Sequence, residues 1–415
     1  MKITIAGGGI GGLIAALCLH QNNFEVEVYE SVDEIKPLGV GINLLPHSVR
    51  ILDYLDLLPH LEKIAVKTSD LIYSNRHGQH FLSDKRGTFA GYKWPQFSIH
   101  RGYFQQLLFD ICCERLGSNR IHTGHHLSHF DQDKNTIRAN FINRNTNQSI
   151  CTVESDVLIG CDGIHSASRQ QCYPNEGDVV YSGNILYRGT SLMKPFLNAS
   201  SMVMIGSNRQ KMVVYPIGKV DEESGLQLIN WVANLKEEHP GTQERDWNKK
   251  VNNAFLLDKY QNWKYDWLDV YEMIKKSSAV YKFPMSDRDP LPKWSFGRFT
   301  LLGDAAHPMY PIGSNGASQA ILDAAALTTS LISNSSTEGA LVEYDRIRVP
   351  ETAKIVLQNR KKGPDAILDL MEDRFPNGFT PAQIPKEEIE ETMKKYKEIA
   401  GFDIQSLNEK GKHLS

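Results

Sequence analysis

Lys2-Ile-Thr-Ile-Ala-Gly-Gly-Gly-Ile-Gly-Gly-Leu-Ile-Ala-Ala-Leu-Cys-Leu-His20 decides the fold of this 415-residue chain. Its first five residues form a short β-branched run, the mark of a buried strand. Gly7, Gly9 and Gly12 then satisfy G-x-G-x-x-G, and residues 13–20 read as a helix. Phe24-Glu-Val-Glu-Val-Tyr29 alternates apolar and polar residues as a second strand, closed by Glu30. Each part has a physical job. Gly7 permits the tight turn, Gly9 lets a pyrophosphate approach the backbone, and Gly12 lets the helix pack on the strand. Ile10 and Gly11 lie at the helix N-terminus, where free N–H groups and partial positive charge attract phosphates. Glu30 offers acceptors to ribose hydroxyls and disfavours a 2′-phosphate. Strand, turn, helix, strand and terminal acid in register mark a dinucleotide site. They do not choose between FAD and NAD.

Two later motifs extend the site. Asp156-Val-Leu-Ile-Gly-Cys-Asp-Gly163 is a strand running into a turn, with Asp162 at the strand end where open α/β sheets bind ligands. Phe299-Thr-Leu-Leu-Gly-Asp304 is another such strand, ending in Gly303 and Asp304. Asp304 is placed to bind a ribityl hydroxyl. Pro311 helps hold the following loop out of helical geometry. Gly313, Ser314, Asn315, Gly316 and Ala317 form a small, flexible turn before a helix from about residue 317 to 331. N–H groups at that N-terminus can stabilise negative charge on a reduced flavin.

The ordered set of G-x-G-x-x-G, Asp-Gly and Gly-Asp-Ala-Ala-His-Pro resembles the single-component FAD-dependent aromatic hydroxylases. Pro37-Leu-Gly-Val-Gly-Ile-Asn43, Phe97-Ser-Ile-His-Arg-Gly102, Tyr187-Arg-Gly189, Tyr215-Pro-Ile217 and Asp287-Arg-Asp-Pro-Leu-Pro292 look closest to the phenazine-pathway branch, with salicylate hydroxylases a step further away. The resemblance implies FAD as cofactor, NADH or NADPH as reductant, and oxygen transfer from a flavin C4a-hydroperoxide to a small phenazine-like or hydroxybenzoate-like ring. It implies that Gly9, Gly12 and Glu30 hold the AMP half of FAD. Arg101 and Gln105, one turn apart on a helix starting near Gly102, would reach its pyrophosphate and ribose. Asp162 would serve FAD and the passing nicotinamide. Asp304 and residues 313–317 would hold the ribityl chain and flavin ring, with Val40, Gly41 and Asn43 at the flavin edge. Gly313, Ser314, Asn315 and Tyr215 are the candidates for the reacting centre.

The implied architecture is α/β: a Rossmann-like FAD-binding domain from 1–72, 100–175 and 286–335, an inserted, mostly antiparallel substrate domain from 73–99 and 176–285, and C-terminal helices over 336–415. Short alternating runs at 179–187, 202–205, 211–215 and 226–232 suit such a sheet. Alternation puts Tyr187 and a neighbouring residue on opposite faces, so Tyr187, Arg188, Tyr215 and Trp231 cannot all line a pocket. Arg188 either pairs a substrate carboxylate or sits under the flavin edge. The stretch 236–276, with Trp247, Trp263 and Trp267, carries a surface helix or two. The Lys/Glu-rich tail from Lys386 reads as a solvated helix or a frayed end.

Composition excludes other classes. A net charge of −3 argues against a general grip on nucleic acid. Glycines interrupt the uncharged N-terminal run, so it is neither a signal peptide nor a membrane span. The six Cys form no C-x-x-C pair, consistent with reduced thiols in a cytoplasmic protein acting as a monomer or homodimer. His122, His125, His126 and His129 alternate unevenly and no metal site is expected. His307 reads as structural. A second G-x-G-x-x-G for a separate nicotinamide domain is absent. Open alternatives are an epoxidase or antibiotic-modifying monooxygenase, and an FAD-binding protein without hydroxylase activity.

Overall fold

The computed structural model describes residues 1–36, 40–237 and 249–414, without the side chain of Lys249. Residues 37–39 of the Pro37–Asn43 motif, and Trp247, lie outside the described residues.

Five parallel strands form the central sheet, in the order Phe299–Leu301, Val157–Gly160, Lys2–Ala6, Glu25–Tyr29 and Ile121–His122. Their buried faces explain the runs of Val, Ile and Leu. Helix Ile10–Gln21 follows the first strand at once. A Cβ on Gly12 would stand 2.0 Å from the Gly7 carbonyl, so only glycine lets this helix pack so closely. Helices Arg101–Leu116 and Gly316–Ser333 pack against it. All three strand ends picked from the sequence meet at one edge of this layer.

The second layer is an eight-stranded sheet. Its order is Lys249–Val251, Val280–Asp287, Val180–Met193, Gln227–Lys236, Gln210–Pro216, Met202–Ser207, Asp70–Ser74 and His80–Lys85. Every pair is antiparallel except Met202–Ser207 with Asp70–Ser74, which run parallel. One face buries Tyr187, Met212, Val214 and Trp231 against the short helices Ala254–Lys259 and Val270–Lys275. The other face carries Arg188, Val213, Tyr215 and Val232 to the cleft. Period two therefore separates Tyr187 from Arg188 and Trp231 from Val232.

Several boundaries read from the sequence fall inside strands: Asp70–Ser74 crosses 72/73, and Val280–Asp287 crosses 285/286. Strand Phe97–His100 crosses the 99/100 boundary as well and pairs with Gly41–Leu44 beside the cofactor half.

The tail is neither frayed nor wholly solvated. Lys386–Ile399 is an amphipathic helix that buries Ile389, Met393 and Tyr396, and Phe402 and Leu407 follow into the core. Its Lys and Glu residues occupy the outer face, except Lys397, which is half-buried against Asp84. Among the described residues no helix is long and apolar enough to cross a membrane.

Candidate functional site

The two layers enclose a cavity of about 390 Å³. Its wall includes Gly9, Ile10 and Gly11 from the glycine turn and Pro311, Ser314, Asn315, Gly316 and Ala317 from the later loop. Two helix N-termini, those of Ile10–Gln21 and Gly316–Ser333, thus open on one cleft. Each offers unpaired N–H groups and partial positive charge. Nothing stands within 4 Å of a Cβ built on Gly9 or on Gly163, so the backbone there is open to a ligand. Arg101 lines the same cleft.

The glycine turn is held from outside. The Gly8 N–H donates to Glu30 Oε2 at 2.6 Å, and the Gln105 Nε2 donates to the Gly8 carbonyl at 2.8 Å. Glu30 Oε1 also accepts from the Ser31 hydroxyl and the Val32 N–H, both at 2.9 Å. Roughly one of the four acceptor positions of a carboxylate is left for a ribose hydroxyl. Gln105 therefore braces the turn and does not line the cavity, whereas Arg101 does. Asp162 is also committed locally. It accepts from the hydroxyls of Ser166 at 2.6 Å and Ser168 at 2.8 Å and from the Ser168 N–H. Its neighbours Cys161 and Gly163 form the cavity wall.

Arg169, six residues on, joins the second motif to the third. Its guanidinium donates to the carbonyls of Ala305 and Ala306 and pairs with Glu176. Asp323 completes the support. It accepts from the Gly303 N–H at 3.1 Å, lies 2.5 Å from His307 Nε2 and pairs with Arg348 Nε at 2.8 Å. His307 is thereby turned away from the reacting space and packs on Trp294. Complete burial alone would raise the Asp323 pKa, but the neighbouring His307 ring and Arg348 guanidinium outweigh it and hold the carboxyl below its usual value. Asp304 contrasts with it. Its carboxylate faces the cleft and takes no hydrogen bond from any described residue. Desolvation in the cleft raises its pKa, while its side chain stays exposed to the cleft and open to a hydrogen-bond donor.

The other wall is strand Gly41–Leu44, pressed against the large sheet. A Cβ on Gly41 would come within 2.6 Å of Ile217 and Tyr215 and 2.9 Å of Asn230. Its N–H donates to Asn230 Oδ1 at 2.6 Å, and its carbonyl accepts from both Arg188 Nη2 and the Tyr215 hydroxyl at 2.8 Å. Tyr215 is thus a hydrogen-bond donor fixed on the backbone, and burial pushes its pKa up. The Val40 carbonyl accepts from the Arg101 N–H, tying this strand to the helix that carries Arg101. Asn43 reaches across to the Ser314 hydroxyl.

The 311–317 loop is braced rather than flexible. Gly313 has φ +69° and Ser314 φ +56°, two consecutive left-handed residues. The Tyr396 hydroxyl stands where a Gly313 Cβ would be and donates to the Ile312 carbonyl at 3.3 Å. Asn315 is fully buried and accepts from Gln319 Nε2.

Among the polar residues of this wall, Asn230, Lys211, Asn234 and Asp365 escaped the sequence reading, as did its apolar residues such as Met204, Val213 and Val232. Period two gives the first three once Tyr215 is placed, because 211, 213 and 215 share a face and 230, 232 and 234 pair with them. Nothing local marks Asp365. Among the described residues no three His, Cys, Asp or Glu side chains gather as a metal site, and His122 stacks on Tyr29.

Residues 1–359 match the family described as FAD binding domain. The chain belongs to that family. FAD is its cofactor, and the open glycine turn, the paired helix N-termini and the unpartnered Asp304 carboxylate fit the two halves of that molecule. Among curated relatives, phenazine 1,6-dicarboxylic acid hydroxylase from Lysobacter antibioticus is 39% identical over 87% of this chain and 89% of its own. The 3-hydroxybenzoate 6-hydroxylase 1 of Aquipseudomonas alcaligenes is 29% identical over 86% of this chain and 88% of its own. Among solved structures, Klebsiella pneumoniae HpxO complexed with FAD and uric acid has the same fold, with TM-score 0.73 and 20% identity, covering 98% of this chain and 96% of that one.

Proposed function

We propose that this FAD-dependent monooxygenase hydroxylates a small phenazine-like or hydroxybenzoate-like aromatic compound, drawing electrons from NADH or NADPH. The observation that carries the reading is the single cavity that runs from the glycine turn past Asp304 and the 311–317 loop onto the sheet face of Arg188, Val213 and Tyr215. The two curated relatives act on aromatic acids by their names, and this chain matches them over most of its length.

FAD, when bound, would supply the redox chemistry between the nicotinamide and O2. The rest falls to the chain. Gly9, Ile10, Gly11 and Gly12 present the helix N-terminus to the pyrophosphate, with Glu30 at the ribose and Arg101 on the phosphate charge. Asp304 would accept a ribityl hydroxyl, next to Gly303. Val40 and Gly41, with Pro311, Gly313, Ser314, Asn315, Gly316 and Ala317, would hold the ring, and N–H groups at the start of helix Gly316–Ser333 would stabilise negative charge on it. Gln105 and Asp162 act by holding the loops. Tyr215 and Arg188 fix Gly41, while Met204, Val213 and Val232 keep the reacting space dry. Arg188 is the cation nearest Gly41 without a carboxylate partner among the described residues, and burial weakens its hold on its proton. The free state of all six cysteines suits a reducing cytoplasm.

The test is the absorbance spectrum of the purified protein, then NAD(P)H oxidation and O2 uptake with phenazine-1,6-dicarboxylate and 3-hydroxybenzoate. A flavin spectrum, substrate-stimulated oxidation and a product one oxygen atom heavier are expected. Flavin reduction that no aromatic compound accelerates, with no hydroxylated product, overturns the reading.

A further inference from the structure

The cavity has a polar far end that the chemistry above does not use. Across the large sheet, three rungs face the cleft. Tyr215 pairs with Asn230, Val213 with Val232, and Lys211 with Asn234. The first rung grips Gly41, the second is apolar, and the third is polar. Lys211 lies four residues from Tyr215 along one strand, about 13 Å at 3.3 Å per residue. One ring does not span that length; a fused ring system with a terminal substituent does.

The third rung is completed by Asp365, from the turn after helix Thr337–Arg360. Lys211, Asn234 and Asp365 are 6%, 2% and 1% exposed. The Lys211 ammonium pairs with Asp365 Oδ2 and also donates to Asn208 Oδ1. Asn234 Nδ2 donates to the Asn208 carbonyl, which fixes how the amide is turned. That leaves Asn234 Oδ1 and Asp365 Oδ1 buried without a hydrogen-bond partner. Two orphaned acceptors beside a neutralised lysine are costly unless a donor arrives. A carboxylate has no proton to give and would meet the Asp365 charge. An amino group has two N–H donors to offer the two acceptors, and a hydroxyl has one.

Resting on the hydroxylase reading, we propose that Lys211, Asn234 and Asp365 form a recognition site for a neutral hydrogen-bond-donating substituent, hydroxyl or amino, at the end of a fused aromatic substrate remote from the flavin. A site built to bond a donor rejects the analogue that lacks it far more strongly than an apolar pocket rejects a missing methylene.

The test uses the FAD-loaded enzyme and four probes: phenazine, 1-hydroxyphenazine, 1-aminophenazine and phenazine-1-carboxylate, with binding read from flavin fluorescence. The hydroxy and amino compounds should bind about tenfold or more tightly than phenazine. Asn234→Val, which copies its neighbours on the sheet, should abolish that ratio while leaving the dissociation constants of phenazine and FAD unchanged. Asp365→Asn, which keeps the shape of the side chain, should also reduce it. A purely structural clamp would leave the ratio alone in both variants. Equal binding of all four probes means that an ordered water alone satisfies the acceptors, and overturns the inference. Tighter binding of the carboxylate overturns it as well. Either result leaves the hydroxylase reading standing if NAD(P)H oxidation is still stimulated. Absence of both binding and stimulation by any aromatic compound overturns the hydroxylase reading and the inference with it.

Discussion

Gly313→Ala tests how the loop beside the flavin is held. Alanine at φ +69° pays the left-handed cost of a Cβ, roughly 1–2 kcal/mol. The added methyl would also stand 1.9 Å from the Tyr396 hydroxyl oxygen and 2.4 Å from its Cζ. Overpacking of this kind costs about 1–3 kcal/mol, so the variant should lose about 2–5 kcal/mol in all. Part of the loss will be relieved by moving the loop, and FAD affinity should fall by about tenfold or more. Tyr396→Ala alone opens a cavity and costs about 3–5 kcal/mol. The double variant should cost less than the sum by about 1–3 kcal/mol, because the clash is gone and only the backbone cost remains. Urea unfolding of the apoprotein and fluorescence titration with FAD read both terms. Strict additivity, or Gly313→Ala within about 0.5 kcal/mol of the parent, would refute the packing argument.

Arg101→Ala should weaken FAD binding by roughly 10–100-fold, the worth of a charge-assisted hydrogen bond; an unchanged dissociation constant removes Arg101 from the site. Asp304→Asn should stabilise the apoprotein at neutral pH and weaken FAD retention. The folded pKa of Asp304 is raised, so stability falls as pH rises from the unfolded pKa toward the folded one, and the amide abolishes that loss; a melting temperature with the same pH slope in both proteins contradicts it. Arg348→Leu leaves Asp323 buried without its guanidinium and should cost about 3–5 kcal/mol at pH 7. Because the Asp323 pKa is depressed, that stability is present above the unfolded carboxylate pKa and lost as pH falls through the folded one, so the penalty should shrink on acidification.

The dinucleotide turn was legible because its parts are contiguous: a strand, three spaced glycines and a helix need no distant partner to be read. Asp304 was legible for the same reason, as the end of a buried strand. Gln105 and Asp162 were picked out, yet which way their side chains turn depends on Gly8 and on Ser166 and Ser168, which spacing does not show. Strand register brings Lys211 to Asn234, but Asp365 lies 154 residues beyond Lys211 on a turn outside the sheet, so only tertiary packing brings the three together. The tail misled because composition averages over a helix. Ile389, Met393 and Tyr396 recur at helical spacing between Lys and Glu residues, and the period, not the charge count, held the information.

The order of strands in the central sheet also governs how the protein is made. Lys2–Ala6 lies between Val157–Gly160 and Glu25–Tyr29, and the edge strand Phe299–Leu301 closes the far side of Val157–Gly160. At ribosomal rates of about 5–20 residues per second, roughly 15–60 s separate synthesis of the first strand from synthesis of the last. Through that interval the nascent chain carries an open parallel-sheet edge and has no Asp304. A fragment ending before residue 299 would be an unfinished sheet that exposes aggregation-prone β-branched backbone. The cofactor site therefore forms late in biosynthesis, and FAD can act as a folding ligand only once residues 299–317 have left the ribosome.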